Sequence, residues 1–293
     1  MIQRFFPPLF DPSQSSPRAS LLLATFDMPR HLELVLAGLS RQKASQGDFE
    51  ILLCDDGSDH ETRAVIERFQ KHEKTSLIHL WQEHQGFRKC RMLNEALRIA
   101  RGSTLIFLDG DCVPHSHFIR DHLEQQEPGF YLAGRRVELG PTISESLTLK
   151  DIQGGLFDGP SFRLLNSCLR KDSEYFQRSL RVPNHAPWSW LRGPMKLNHV
   201  PDLKGCNFSV AKSAMETING FDEDYEGYGR EDTDVEIRLQ NLGLKIKSLK
   251  GLALQFHVWH PRRSFTPAND HRLEEARTTK RVACRSGIRK ISG

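Results

Sequence analysis

Two carboxylates stand two residues apart at the end of an apolar run, a spacing that suits a divalent cation. Asp109 and Asp111 flank Gly110 and follow residues 104–107, which predict a buried strand. Open α/β sheets bind ligands at the carboxyl ends of their strands, where Mg²⁺ or Mn²⁺ takes one or two carboxylates together with substrate phosphates. Asp-Gly is also a common turn. The triplet alone therefore leaves a metal site and a simple turn open.

Two further acidic pairs stand where a strand ends or a helix begins. Asp55 and Asp56 follow the apolar residues 49–54, whereas Glu231 and Asp232 follow a glycine-rich turn and open a predicted helix. A helix N-terminus favours ionised carboxylates, and an ionised carboxylate beside a bound hydroxyl can act as a general base. Capping of the first helical turn is the alternative for Glu231 and Asp232.

Histidines and cations add candidates for metal and phosphate binding. His257 and His260 follow a short apolar strand, and a histidine there could complete a metal site, although a lone histidine is more often not a ligand. Arg88, Lys89 and Arg91 lie near the start of a predicted helix, where they would suit an anionic diphosphate. A solvated helix face is the alternative for these cations.

The elements that must position these residues alternate in type. Apolar runs predict strands, and apolar residues at helical spacing predict helices between them. This alternation indicates βαβ units and a mainly parallel sheet. The alternation stops after a strand at 131–137. The proline-rich residues 140–203 are expected to be irregular, with some helix around 161–176. The predicted strands of the first half are 20–25, 49–54, 77–80 and 104–107, with helices at 31–42 and 90–100.

The bulk properties exclude several classes of protein. The chain has 293 residues and a formal net charge of +4, too mild for a duplex-DNA binder. Its six cysteines are scattered without a C-x-x-C pair, so neither disulfides nor a cysteine zinc site is expected. No transmembrane run or signal peptide is apparent, which predicts a cytoplasmic protein. The basic segment from residue 277 onward is either solvated or attracted to an anionic partner, which would be lipid head groups at the inner face of the membrane or an anionic glycan.

In this order the motifs resemble those of the family 2 type inverting glycosyltransferases with a GT-A fold. The second half resembles a galactosyltransferase-type domain. The resemblance rests on the Asp109-Gly110-Asp111 triplet and on the segments 205–209, 219–223 and 227–232. It implies an α/β, Rossmann-like, mainly parallel sheet flanked by helices, with an irregular acceptor-side insertion. The implied segments are a flexible N-terminal arm 1–18, a nucleotide-sugar-binding half 19–138, the insertion 139–203, a catalytic half 204–262 and a basic tail 263–293.

The resemblance also implies a role for each matching residue. The nucleotide sugar would contact Thr25, Phe26, Asp55, Asp56, Arg88, Arg91, Asp109 and Gly110, with Asp109 facing the ribose. The metal would be held by Asp111 and His257, with Asp109 as a further candidate and His260 a less favoured one. Asp232 would be the general base, with Glu231 orienting a sugar. Tyr228, Gly229 and His260 would lie at the acceptor or donor sugar. Phe26 and Tyr228 depart from the tyrosine and tryptophan common in the family, so acceptor preference does not carry over.

The implied function is hexosyl or N-acetylhexosaminyl transfer, dependent on Mn²⁺ or Mg²⁺, from a UDP-sugar to a hydroxyl of a glycan or glycolipid. Synthesis of bacterial surface polysaccharide or lipopolysaccharide would fit. Two alternatives stay open. A sugar-nucleotide pyrophosphorylase would need a glycine-rich phosphate loop after the first strand, and residues 25–30 are not such a loop. A catalytically inactive glycan-binding protein would have no need to keep Asp109, Asp111, Glu231, Asp232 and His257 together.

Overall fold

The computed structural model describes residues 2–7, 16–45, 47–73, 75–261 and 264–290. Eleven strands are assigned there: β1 Ile2–Phe5, β2 Ala19–Thr25, β3 Phe49–Asp55, β4 Leu77–Gln82, β5 Thr104–Asp109, β6 Cys112–Pro114, β7 Phe130–Ala133, β8 Val137–Glu138, β9 Asn207–Ala211, β10 Lys245–Ser248 and β11 Gln255–His257. The helices are α1 Pro29–Ser40, α2 His60–His72, α3 Lys89–Ile99, α4 Phe118–Gln125, α5 Pro141–Ser146, α6 Leu149–Gln153, α7 Phe162–Leu169, α8 Lys212–Thr217, α9 Glu231–Asn241 and α10 Ala268–Thr279, with 3₁₀ helices at Phe176–Ser179 and Ser189–Arg192.

Eight of the strands form one sheet in the order β1-β4-β3-β2-β5-β9-β7-β10. The four central strands β4, β3, β2 and β5 are parallel, as is the pair β7 and β10, which confirms the predicted mainly parallel sheet. Antiparallel pairs join β1 to β4 and place β9 between β5 and β7. Because β9 comes from the second half of the chain, the two predicted halves share this sheet. A small second sheet has the order β6-β11-β8.

Helices cover both faces of the large sheet. Alternate residues of β2 enter different cores: Leu21 and Leu23 pack with α1 and α2, whereas Leu22 packs with α3, α8 and α9. Burial on both faces explains why the central strands are continuous apolar runs rather than alternating ones. After β2 the chain adds β3 and β4 on one side of it and then β5 on the other side, so the order of the strands reverses between β2 and β5. Ligands of open α/β sheets bind at this kind of switch point.

The structure corrects the predictions for the chain ends. Ile2–Phe5 pair with β4, so the expected flexible arm is wrong for these residues, while residues 1 and 8–15 lie outside the described part. The basic tail is not simply solvated, since α10 packs on α9. Arg281 Nη2 lies 2.9 Å from Asp222 Oδ2, and Lys290 Nζ lies 3.1 Å from Glu223 Oε2. Residues 262–263 and 291–293 also lie outside the described part.

The insertion between β8 and β9 is partly helical. Short helices α5, α6 and α7 alternate with irregular segments there. Ile143, Ile152 and Leu164 bury their side chains in the same core as α1. The insertion therefore packs as part of the domain and forms one wall of the cleft described next.

Candidate active site

A cleft of about 600 Å³ opens at the carboxyl ends of β2 and β5. Both core sheets and the insertion contribute to its lining. Ten of the predicted site residues line it: Thr25, Phe26, Asp56, Asp109, Gly110, Asp111, Tyr228, Glu231, His257 and His260. Five others do not: Asp55, Arg88, Arg91, Gly229 and Asp232. Most of the residues predicted from the sequence therefore line one cleft, and the structure shows which of them do not.

Gly110 lets the ends of β2 and β5 meet. Its backbone N–H donates to Ala24 O at 2.7 Å. A Cβ atom at this position would lie 2.9 Å from Thr25 Oγ1 and 3.0 Å from Ala24 O, closer than carbon atoms approach oxygen without movement. Glycine is therefore required by close packing, and the flanking carboxylates are placed on the floor of the cleft.

One end of the cleft carries a fixed carboxylate beside stacked rings. Asp56 is buried, and its two carboxylate oxygens accept from Gln82 Nε2 at 2.6 Å and from the backbone N–H of Arg88 at 2.7 Å. The ring of Phe26 stacks on His84 with 4.2 Å between ring centroids and 15° between planes. A held acceptor group next to a flat aromatic surface suits a nucleobase, which offers N–H donors and a ring face.

Asp55, predicted to help bind the nucleotide, instead shapes the loop that carries Asp56. Its buried carboxylate accepts from Ser58 N at 2.8 Å and pairs with His79 Nε2 at 2.9 Å. Both oxygens are therefore engaged below the cleft, and Asp55 is a structural neighbour of the site.

Asp111, His257 and His260 form a group that could hold a metal ion, since one ligand atom from each lies within 4.8 Å of the others. Asp111 Oδ2 lies 3.1 Å from His260 Nε2 and 3.7 Å from His257 Nε2, and the two Nε2 atoms are 3.3 Å apart. The structure thus places His260 with the candidate metal ligands, where the sequence had favoured His257 alone.

Neighbouring groups orient both imidazoles toward this point. His257 Nδ1 lies 2.9 Å from Glu138 Oε2, and His260 Nδ1 lies 2.8 Å from Pro261 O. With each Nδ1 held by an oxygen, both Nε2 atoms face Asp111. Partners of this kind on the far nitrogen fix the orientation of metal-ligating histidines. Two imidazole nitrogens and one carboxylate fit Mn²⁺ better than Mg²⁺, which prefers an all-oxygen shell.

The charges of this group also favour a bound cation. Burial opposes the imidazolium form, but hydrogen bonds to Asp111 and Glu138 outweigh it and raise the pKa of His257 to about 9. Burial likewise opposes the ionised form of Asp111, yet its contacts with His257 and His260 hold the pKa of this carboxyl well below its usual range. The negative charges of Asp111 and Glu138 therefore favour a proton on His257. A divalent cation bound at this point would displace that proton.

Asp109 lies outside the metal-ligating group, because a lysine holds it. Lys89 Nζ is 2.6 Å from Asp109 Oδ1, and the two side chains are only 17% and 25% exposed. Of the cations that the sequence grouped at the start of α3, Lys89 lines the cleft, whereas Arg88 turns away to Gln85 and Glu83. Of the three cations, Lys89 is therefore the one whose side chain lines the cleft.

Arg136 is a second cation of the cleft, and the sequence analysis missed it. Its Nε lies 2.7 Å from Glu138 Oε1, and Glu138 also contacts His257. Burial would raise the pKa of Glu138, but His257 and Arg136 lower it to about 2. Arg136 lies between two short strands without any motif around it, so no pattern in the sequence marks it.

The two carboxylates at the start of α9 differ in position: Glu231 lines the cleft, whereas Asp232 does not. The backbone turns at Arg230, which has a left-handed φ of 78°, and α9 begins directly after it. Glu231 lines the cleft and accepts from Gly229 N at 3.1 Å, so Gly229 fixes this carboxylate. Burial raises the pKa of Glu231, opposed by Lys89 and reinforced by the charge of Asp232.

Asp232 lies just behind this wall. Its Oδ2 accepts from Gly205 N at 3.0 Å and its Oδ1 from Thr233 N at 2.8 Å, contacts that suit an anionic side chain. Tyr228 forms the neighbouring aromatic wall, edge to face with Phe87 at 6.2 Å between ring centroids. A half-exposed tyrosine and the partly buried carboxylate of Glu231 in the same cleft suit a sugar, which offers both C–H faces and hydroxyl groups.

Comparison with solved structures identifies the fold. Mannosyltransferase PcManGT from Pyrobaculum calidifontis, solved with GDP-Man and Mn²⁺, aligns with a TM-score of 0.56 at 15% identity, covering 92% of this chain and 71% of that one. TarS 1-349 from S. aureus, solved with UDP-GlcNAc, aligns with a TM-score of 0.57 at 13% identity, covering 90% and 66%. The fold of the chain is the GT-A fold of glycosyltransferases.

Sequence comparison assigns each part of the cleft to a known type of domain. The model described as "Glycosyl transferase family 2" matches residues 20–151, and the model described as "N-terminal domain of galactosyltransferase" matches residues 194–261. The chain thus contains a family 2 glycosyltransferase region followed by a galactosyltransferase-type region, and together they span about two thirds of it.

Relatives of this family differ in their named activities. Validoxylamine A glucosyltransferase from Streptomyces hygroscopicus subsp. limoneus is 24% identical over 78% of this chain and 49% of its own length. Chondroitin synthase from Escherichia coli is 23% identical over 83% of this chain and 35% of its own length. The chain thus spans about half the length of these relatives or less. Within its described residues, no helix has both the length and the apolar character needed to cross a bilayer.

Proposed function

We propose that this chain is a metal-dependent, inverting glycosyltransferase that moves a sugar from a UDP-sugar to a hydroxyl of a glycan or glycolipid. One observation carries the proposal: a single cleft combines the Asp56 carboxylate beside stacked rings, the Asp111–His257–His260 group and the Glu231 carboxylate. These are, in order, groups suited to a nucleobase, to a metal at a diphosphate and to a sugar hydroxyl.

The donor's nucleotide would lie along the ends of β2 and β5. Asp56 would accept a hydrogen bond from the base while Phe26 contacts its face. A carboxylate accepts two hydrogen bonds in one plane and so suits any base that offers N–H groups. UDP is proposed because TarS, which shares the fold, is solved with UDP and with UDP-GlcNAc. Guanine is the competing base, since PcManGT is solved with GDP-Man.

Asp111, His257 and His260 would hold the metal, which we propose to be Mn²⁺. When bound, such a cation supplies positive charge that stabilises a diphosphate leaving group. Lys89 and Arg136 line the same cleft and add positive charge from the protein itself. Lys89 also holds Asp109, which would face the ribose. Fixed cations around a developing negative charge lower the barrier without reorganisation at the moment of reaction.

The acceptor hydroxyl would be deprotonated at the acidic pair of α9. We assign the general base to Asp232. Its side chain does not line the cleft, so the acceptor hydroxyl would have to reach it beside Glu231. The two oxygens of Asp232 keep lone pairs beyond those that accept the backbone N–H groups. Glu231 would hold a sugar hydroxyl in the cleft, with Tyr228 against the face of the ring. Attack on the anomeric carbon opposite the diphosphate would convert an α-linked donor into a β-glycoside. A role in bacterial surface polysaccharide or lipopolysaccharide synthesis would suit such a product.

Binding to the free enzyme tests the donor and the metal together. Thermal unfolding would be followed with UDP, GDP and CDP, and with UDP-glucose, UDP-galactose, UDP-GlcNAc and UDP-GalNAc, each with and without Mn²⁺. A ligand at one hundred times its Kd stabilises the folded state by about 2.7 kcal/mol, equivalent to about 4 °C for a chain of this size. Protection by UDP that requires Mn²⁺ and is lost in Asp56→Asn supports the proposal. Equal protection by all three nucleotides would contradict it.

A further inference from the structure

Helix α7 presents an apolar stripe to solvent. Phe162 is 83% exposed and Leu169 is 74% exposed, with the half-buried Leu165 between them. The three residues are spaced by three and four positions, so they share one face of the helix. The other face, with Leu164 and Ser167, packs into the domain. We call Phe162, Leu165, Leu169 and the two cations that follow them the α7 surface.

Arg170 and Lys171 border the stripe, and both side chains are exposed. Among the described residues neither is joined to a carboxylate by an ion pair. The carboxylate of the next residue, Asp172, instead accepts hydrogen bonds from Thr142 N and Ile143 N within the insertion, at 3.1 Å each. An exposed apolar stripe flanked by free cations matches a membrane surface that offers acyl chains and anionic head groups.

The α7 surface lies next to the cleft. Asp172 and Glu174 both line the cleft, and Asp172 follows Leu169 by three residues. Three residues of chain span at most about 11 Å. A bilayer in contact with α7 would therefore lie within roughly that distance of the wall that the insertion forms. An acceptor anchored in the membrane could then reach the cleft.

We propose that the α7 surface docks the protein on an anionic lipid bilayer, with Phe162 and Leu169 inserted at the head-group level and Arg170 and Lys171 at the phosphates. This inference goes beyond the proposed reaction and does not depend on it. It also places the membrane contact at α7 rather than at the basic C-terminal tail. Arg277, Arg281 and Lys290 of the tail are paired with carboxylates, and no large apolar side chain is exposed among the described residues 277–290.

Sedimentation with vesicles tests the proposal on the whole chain. Binding would be measured to phosphatidylcholine vesicles with and without 30% phosphatidylglycerol, at low and high salt. We expect binding only with the anionic lipid, and at least a tenfold loss of affinity in Phe162→Ser/Leu169→Ser. Arg170→Glu/Lys171→Glu should lose at least as much, since each cation near an anionic surface contributes roughly fivefold. Thermal unfolding would confirm that each variant folds.

Two matched variants separate the α7 surface from general stickiness. Trp190 is 70% exposed but lies in the second 3₁₀ helix, and Arg285 is an exposed cation of the tail. Trp190→Ser and Arg285→Glu should bind vesicles as the unsubstituted chain does. The proposal is overturned if these variants lose as much as the α7 variants, or if the unsubstituted chain ignores anionic lipid. A dimer that Phe162→Ser/Leu169→Ser converts to monomer, seen by light scattering, would overturn it in favour of a second copy.

Discussion

Replacing Lys89 by methionine removes the cation that holds Asp109 on the floor of the cleft. Loss of one partner from a buried ion pair costs about 3–5 kcal/mol, because the other charge is left uncompensated. The side chains of Lys89 and Asp109 keep 17% and 25% of their exposure, so water recovers part of that cost. We expect Lys89→Met to lower the free energy of unfolding by about 2 kcal/mol, which lowers Tm by about 3 °C.

Urea unfolding of a double-mutant cycle measures this interaction. Adding Asp109→Asn to Lys89→Met removes the stranded charge, so the double variant should regain about 1 kcal/mol relative to the sum of the single variants. Lys204 provides the control: it pairs with Asp202 at 2.8 Å on the surface, with side chains 52% and 42% exposed. Lys204→Met should change stability by less than about 0.5 kcal/mol. Strictly additive effects, or equal losses in both lysine variants, would refute the reasoning.

Three further results are expected. His260→Ala should abolish the Mn²⁺-dependent rise in Tm measured by thermal unfolding; an unchanged rise would exclude it as a ligand. Gly110→Ala should weaken UDP binding by calorimetry at least tenfold, since its Cβ would lie 2.9 Å from Thr25 Oγ1; full affinity would show that the strands can part. Burial lowers the pKa of His122 to about 3, whereas in the unfolded chain this imidazole takes up a proton as the pH falls below about 6.5. The free energy of unfolding therefore falls below this pH, by about 1.4 kcal/mol per pH unit. Between pH 6.5 and 5, the free energy of unfolding of the unsubstituted chain should therefore fall by about 2 kcal/mol more than that of His122→Gln.

The first half of the fold follows from the sequence because its signals are local. Apolar runs bounded by polar turns predicted strands at 20–25, 49–54 and 104–107, within two residues of β2, β3 and β5. Strands buried on both faces must be apolar throughout, and the helices between them must carry an apolar face. These requirements act within a few residues, so composition alone reveals them.

The order of the remaining strands was not predictable in this way. β9 pairs with β5 across about a hundred residues of chain, and β1 joins the sheet at its far edge. Pairings between distant segments depend on the packing of the whole domain, and a short polar strand such as Ile2–Phe5 gives little local pattern. The same limit hid the small sheet that carries His257.

The site residues show the limit most clearly. Arg88 and Lys89 are neighbours, yet only Lys89 enters the cleft, because successive residues at a helix start point in different directions. Glu231 and Asp232 divide between cleft and rim for the same reason. Residue type and spacing identified both groups, but the rotation of each helix about its axis, set by packing, decided which member faces the ligand.

Turnover by the acidic pair tests the central claim most directly. Release of UDP from the UDP-sugar that gives the greatest thermal protection would be measured with Mn²⁺, with Mn²⁺ removed by a chelator, and in Asp232→Asn and Glu231→Gln. The account predicts Mn²⁺-dependent release by the unsubstituted chain and at least a hundredfold loss in Asp232→Asn, with protection by UDP retained. Full activity of Asp232→Asn beside an inactive Glu231→Gln would move the base to Glu231. Release that is unaffected by both substitutions and by the chelator would contradict the account as a whole.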